Sequence, residues 1–219
     1  MPLQQVNCDN IIIPSGFILF ISGVPGVGKT TVSYELLKKY NNFRIIEETD
    51  ILREAFRGYN AMLLEKYGQP LEDILHHVEI SDHTKLLTYK EAMQQCLIMR
   101  KSIENIVARQ QRKGIASIIN GVHIIPEVFQ ELMNKPNILF INLYVSNENI
   151  LHERIYGRDP QSYMLQHISF IYQNNMDLFR NIEKLAETSN NKIFNIDVAT
   201  LDIDKIIHKI IECIVSSTN

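Results

Sequence analysis

The sequence predicts an α/β chain: a parallel five-stranded sheet in the middle of three layers, with helices on both faces. Two observations carry this expectation. Five short apolar runs recur along the 219 residues, each followed by a stretch of helical character, which is the pattern of a parallel sheet with helical crossovers. An apolar content of 45% with 21% charged residues is ordinary for a globular chain and ample for one full core at this length. No internal repeat or low-complexity linker divides it, so residues 1–219 read as a single domain.

Phe17 to Ser22 forms the first expected strand, and Thr31 to Lys39 the helix after it. Phe43 to Glu48 is the second strand. A helix opens at Asp50, which stands at or near its N-cap, and continues through Arg57. No strand is predicted from Tyr59 to Lys113. That tract is helical with breaks near Gly68-Gln69-Pro70 and Ser81-Asp82, and its last piece runs from about Thr84 to Arg112, before Gly114. A gap of this length predicts a helical insertion, residues 59–113, that covers a substrate. Ile115 to Asn120 is the third strand, turning out at Gly121-Val122-His123, and a helix follows near Pro126 to Met133. Asn137 to Val145 is the fourth strand and Asn147 to Tyr156 the next helix, with residues 147–163 expected to act as a lid. Pro160 to Thr188 holds one long helix or two, Lys192 to Ile196 the last strand, and Leu201 to Ile214 a closing amphipathic helix. In such a fold the crossovers are right-handed and ligands bind beyond the carboxyl ends of the strands. Gly23, Thr49-Asp50, Gly121 to His123 and Val145-Ser146 are therefore expected around one cleft.

The first of these strand ends carries the strongest signal in the chain. Gly23-Val24-Pro25-Gly26-Val27-Gly28-Lys29-Thr30 is a complete G-x-x-x-x-G-K-T loop between a strand and a helix. Its glycines let backbone N–H groups curl toward a phosphate, and the helix N-terminus adds positive partial charge there. A P-loop NTPase site follows: Gly23, Gly26, Val27, Gly28, Lys29, Thr30 and Thr31 hold the nucleotide, Lys29 reaches the β- and γ-phosphates, and the Thr30 hydroxyl meets Mg2+.

Composition narrows the partners. A net charge of −3 gives no electrostatic footprint for nucleic acid or an anionic membrane. Cys8, Cys96 and Cys213 are odd in number and lack metal-ligand spacing, which suits a reducing, cytoplasmic setting. The run Ile11-Ile12-Ile13 is cut by Pro14 and Gly16, so neither a signal peptide nor a membrane span is expected.

Around the cleft, Asp50 is the carboxylate placed to take a proton from an acceptor hydroxyl and to help hold Mg2+, beyond any role as a helix cap. Arg53 and Arg57 lie on one helix face and suit an anionic acceptor, although Glu54 offers either of them an ordinary ion pair. Arg154 and Arg158 are spaced to balance charge on transferring phosphoryl oxygens from a lid, with a solvated helix face as the plain alternative. Gly121 and His123 could meet the acceptor, or His123 could simply be exposed. His76, His77 and His83 form no metal pattern. Arg109, Arg112 and Lys113 need no role beyond favouring a helix C-terminus. The third strand ends in Asn120 instead of an acidic residue, which leaves Asp50 as the one strong carboxylate candidate.

Taken together, Ile21 to Thr31, Thr49-Asp50-Ile51-Leu52-Arg53-Glu54, Asn120 to Pro126 and the Arg154 to Tyr163 segment resemble the 2-phosphoglycerate kinase family and related small P-loop kinases of the AAA type. The resemblance implies a mononucleotide-kinase-like fold and transfer of the ATP γ-phosphate to a small phosphorylated hydroxy acid. It implies Asp50 as base or magnesium organiser, Arg53 as an acceptor-phosphate contact, and Arg154 with Arg158 as the lid. Where the family usually carries Glu, this chain has Asn120. The leading expectation is an ATP- and Mg2+-dependent small-molecule kinase, monomeric or homodimeric, that uses Lys29, Asp50, Arg154 and Arg158 in catalysis. Zeta-toxin-like, antibiotic and polynucleotide kinases share the layout. A nucleotide-binding switch or inactive kinase relative is the alternative from another class.

Overall fold

A computed structural model describes residues 11–67, 86–187 and 192–218. Its five strands are β1 (Ile18–Ser22), β2 (Phe43–Glu48), β3 (Ala116–Asn120), β4 (Ile138–Tyr144) and β5 (Ile193–Asp197), all parallel, in the order β2-β3-β1-β4-β5. Each lies within a residue or so of its expected place. The central strands β1, β3 and β4, buried on both faces, write themselves as largely apolar runs, while the edge strands β2 and β5 are only partly buried. β1, β3 and six of the seven residues of β4 are wholly buried.

Side-chain alternation divides the core into two layers. Leu19, Ile21, Ile118, Leu139 and Ile141 face one side. There they meet α1 (Lys29–Lys39), α5 (Glu148–Arg158) and α7 (Ile203–Thr218) through Val32, Leu36, Leu151, Ile155, Ile207 and Ile211. Ile18, Phe20, Ile119, Ile138 and Phe140 face the other. They pack on α3 (Tyr89–Arg112) and α6 (Ile168–Ala186), and on the 3-10 turn Pro126–Phe129 that passes into the short α4 (Gln130–Met133). Phe20 anchors this second layer, stacked on Phe140 at a centroid distance of 4.3 Å and on Phe129 at 5.6 Å.

Several helix boundaries differ from expectation: α1 starts at Lys29, two residues before Thr31, α5 ends at Arg158, two past Tyr156, and α7 runs on to Thr218, four past Ile214. α2 (Thr49–Tyr67) starts one residue before Asp50 and runs past Tyr59, so the first part of the expected insertion continues the helix that leaves β2. α3 starts at Tyr89, because Thr88 closes a capping box: its hydroxyl accepts from Glu91 N–H, and the Glu91 carboxylate accepts from Thr88 N–H at 2.8 Å. The T-x-x-E pattern was present in the sequence. The expected breaks at Gly68-Gln69-Pro70 and Ser81-Asp82, the start at Thr84, the end at Thr188, and His76, His77 and His83 lie outside the described residues. The Pro160 to Thr188 tract resolves into a 3-10 turn at Tyr163–His167 followed by α6. Among the described residues no helix is long and apolar enough to cross a membrane.

β1 sits between β3 and β4, and its own crossover through α1 leads past β3 to the edge strand β2. Beyond β1 the connections run in opposite directions, so the sheet opens a crevice at that carboxyl end.

Candidate active site

The phosphate loop fills the start of that crevice. Gly28 has φ 93°, a left-handed turn that glycine adopts without steric cost, and α1 begins at the next residue. No side chain caps this helix, so its first N–H groups remain available to an anion. A Cβ on Gly26 would lie 2.8 Å from Ile155 Cγ1. The absence of a side chain there lets α5 seat directly on the loop.

A cavity of about 820 Å³ opens at the carboxyl ends of the strands. Gly23 to Thr31 line it together with Asp50, Arg53, Gly121, His123, Arg154 and Arg158. Residues from four separate segments thus converge, as the sequence placed them. Arg57 is not part of this wall; its Nη1 donates to Glu54 Oε2 at 2.8 Å. Thr49, Val145 and Ser146, expected at the cleft, also stay out of it. The buried Asn175 side chain takes both Val145 backbone groups, accepting from the N–H at 3.1 Å and donating to the carbonyl at 2.8 Å.

Charges on the two sides of the cavity are interlocked. Lys29 Nζ donates to the Val24 carbonyl at 3.0 Å. Burial pushes the ammonium down to about 8, and Arg158 acts in the same direction, while Asp50 and Glu48 oppose them. Arg53 is 7% exposed, with Nη1 3.6 Å from Asp50 Oδ1 and Nη2 3.3 Å from Glu54 Oε1. His123, far from being an exposed turn residue, is fully buried with Nδ1 3.8 Å from Asp50 Oδ1. Burial takes it down to about 4 against the pull of Asp50, with Arg53 and Lys29 adding to the drop. The ring is therefore neutral at physiological pH.

Glu48 is the residue that sequence reasoning missed. It lines the same cavity, so Asp50 is not the sole carboxylate there. Glu48 pairs in register with Asn120 on the neighbouring strand. Asn120 is committed to the framework: its Nδ2 donates to Ser33 Oγ at 2.9 Å, and Ser33 Oγ donates to the Lys29 carbonyl at 2.8 Å. The acidic side chain absent from the end of β3 is thus matched by one beside it, at the end of β2. Strand alternation could have found it, since Glu47 turns to the opposite side, where Gln110 Nε2 donates to it at 3.1 Å.

Four buried side-chain polar atoms have no hydrogen-bond partner among the described residues: Glu48 Oε1, Thr49 Oγ1, and both ring nitrogens of His123. Three of the four belong to Glu48 and His123, which line the cavity at the carboxyl ends of β2 and β3, while Thr49 stays behind the wall against Gly121. A buried polar atom without a partner costs about 1–3 kcal/mol, so a cluster of them marks a surface shaped for a polar ligand.

On the far wall, Arg154 donates to the Val198 carbonyl just past β5. Burial lowers its pKa, with Asp197 opposing. Arg158 Nη2 lies 3.9 Å from Met164 Sδ. Cys96 and Cys213 are both free, and burial pushes each thiol up to about 12, which leaves neither activated as a nucleophile.

Sheet order, phosphate loop and cavity together define a P-loop α/β fold of the small-kinase type. The chain belongs to the AAA domain family, which matches residues 22–169. It is 28% identical over 216 residues to the 2-phosphoglycerate kinase of Methanothermobacter thermautotrophicus, covering 87% of this chain and 64% of that protein. It is 25% identical over 141 residues to the mevalonate-3-phosphate 5-kinase of Thermoplasma acidophilum, covering 64% of this chain and 67% of that one. Among solved structures, a gluconokinase from Sinorhizobium meliloti 1021 shares the fold with TM-score 0.56 at 14% identity, covering 94% of each chain. The chain thus spans just under two thirds of the length of the first of these relatives.

Proposed function

We propose that the protein is an ATP- and Mg2+-dependent kinase that phosphorylates a hydroxyl group of a small phosphorylated hydroxy acid, of the 2-phosphoglycerate type. The observation that carries this reading is the convergence of Lys29 on one side of the cavity with Asp50, Arg53 and His123 on the other. Similarity to kinases acting on two different phosphorylated hydroxy acids supports the acceptor class.

The phosphate loop binds the donor through backbone N–H groups, with the Lys29 ammonium beside the β- and γ-phosphates. Asp50 orients the acceptor hydroxyl and takes its proton as the oxygen attacks phosphorus in line. Arg53 meets the acceptor's anionic group. Arg154 and Arg158 close over the phosphates from α5 and exclude water.

The donor set suits Mg2+: oxygens of Thr30, Asp50 and Glu48, the last with a buried Oε1 that has no hydrogen-bond partner among the described residues. Among the described residues no group of three or more His, Cys, Asp or Glu side chains forms a metal cage; a Mg2+ held mainly by substrate phosphates and one or two carboxylates requires none. When bound, it neutralises charge developing between the β- and γ-phosphates.

The test is ADP release with ATP and Mg2+ across 2- and 3-phosphoglycerate, sugars, nucleotide sugars, nucleosides and an aminoglycoside. Acceptor-dependent release that falls about a hundredfold or more in Asp50→Asn is the expected result. Tight ATP binding with no stimulation by any acceptor would instead indicate a nucleotide-binding switch.

A further inference from the structure

Beside Asp50 the site holds a second polar group whose place in the chemistry the kinase reading alone leaves open. His123 is fully buried, lines the cavity, and has no hydrogen-bond partner at either ring nitrogen among the described residues. Its Nδ1 stands 3.8 Å from Asp50 Oδ1. That separation exceeds a direct hydrogen bond, yet one oxygen placed about 2.8 Å from each group spans it. The ring has little freedom to close the gap itself. Ile124, Ile125 and Pro126 bury the segment that follows it, and Gly121, two residues before it, packs so closely on Thr49 that a Cβ there would lie 1.7 Å from Thr49 Oγ1.

We propose that His123 and Asp50 form a two-point clamp on the reacting hydroxyl of the acceptor, the His123 N–H donating to its oxygen and Asp50 accepting from its hydrogen. The facing carboxylate favours the tautomer with the proton on Nδ1. A hydroxyl oxygen has one hydrogen and two lone pairs. With the hydrogen on Asp50 and one lone pair on His123, the second lone pair is held toward the phosphate loop. An ether or carbonyl oxygen cannot donate to Asp50, and a carboxylate or phosphate is repelled by it, so the clamp selects an alcohol. In the transfer, the acceptor oxygen forms a bond to the γ-phosphorus, and the bond from that phosphorus to the β–γ bridging oxygen breaks. The bridging oxygen leaves with the electron pair as ADP, and the hydroxyl proton passes to Asp50, which is open to solvent.

This clamp rests on the kinase reading, and one set of measurements separates the two. ADP release is followed with 2-phosphoglycerate first and then the remaining acceptors, for the wild type, His123→Leu, His123→Asn, Asp50→Asn and the His123→Leu/Asp50→Asn double variant. His123→Leu is expected to lower kcat for the stimulating acceptor about a hundredfold while the Kd for a fluorescent ATP analogue stays within about twofold. His123→Asn, which keeps an N–H donor, should regain about tenfold of that loss. In the Asp50→Asn background His123→Leu should cost less than about threefold, since two groups holding one atom act as a unit. If His123→Leu fails to fold, His123→Phe, close in shape and likewise without a donor, replaces it in both backgrounds. Normal kcat in the His123 variants, or equal losses with and without Asp50, overturns the clamp and leaves the kinase reading intact. No stimulation of the wild type by any acceptor overturns both.

Discussion

Lys29→Met should make the nucleotide-free protein more stable while abolishing ATP binding. Burial holds the Lys29 ammonium at about 8 in the folded protein, against 10.5 ordinarily. Below pH 8 the native state therefore carries a charge that its surroundings disfavour, and the penalty is fully present. At about 1.4 kcal/mol per pH unit, the gap amounts to about 3 kcal/mol. Methionine keeps most of the length and removes the charge, but loses the hydrogen bond to the Val24 carbonyl, worth about 1 kcal/mol. The net gain at pH 7 is about 2 kcal/mol, a rise in Tm of roughly 4–8 °C for a domain of this size. Between pH 8 and 10.5 the unfolded chain binds more protons at this site than the folded one, so wild-type stability recovers with rising pH and the advantage fades. Urea unfolding of both proteins at pH 7 and pH 10, compared as differences, measures this. A variant no more stable than wild type at pH 7, or a gain independent of pH, would refute the reasoning. An anion placed beside the Lys29 ammonium would offset this penalty, so the charge costs the empty site stability and favours the occupied one.

Three further changes probe the framework around that lysine. Gly121→Ala drives a Cβ to 1.7 Å from Thr49 Oγ1 and should cost about 1–3 kcal/mol in urea unfolding, with acceptor turnover falling as His123 shifts; unchanged stability would mean Thr49 rotates away freely. Asn120→Asp replaces the donor to Ser33 Oγ with a buried carboxylate and should cost about 1–3 kcal/mol without raising activity. Higher turnover in that variant would show that the β3 position still serves the chemistry. Glu48→Gln, nearly isosteric, should raise the Mg2+ concentration for half-maximal ADP release about tenfold, and an unchanged Mg2+ dependence would remove Glu48 from the metal's surroundings.

The central strands β1, β3 and β4 were legible because a sheet buried on both faces spells itself in largely apolar residues, and the half-buried edge strands β2 and β5 by their short apolar stretches next to helical segments. The phosphate loop was legible for a related reason: contiguous backbone does its work, and contiguous backbone is written in contiguous letters. Asp50, Arg53 and His123 could be placed near it because ligands gather at strand ends. The sequence by itself thus determined the layers, the nucleotide end of the site and the segments facing it. Strand order, which brings β2 beside β3 and so sets Glu48 against Asn120, was decided by tertiary packing. So was the difference between Arg53, drawn into the cavity wall, and Arg57 four residues on, left with Glu54. So too was the burial of His123, whose turn reads as exposed until Thr49 and Gly121 close against each other. Each of these depends on contacts between residues far apart in the chain, and a local pattern cannot encode the distance from one strand end to another.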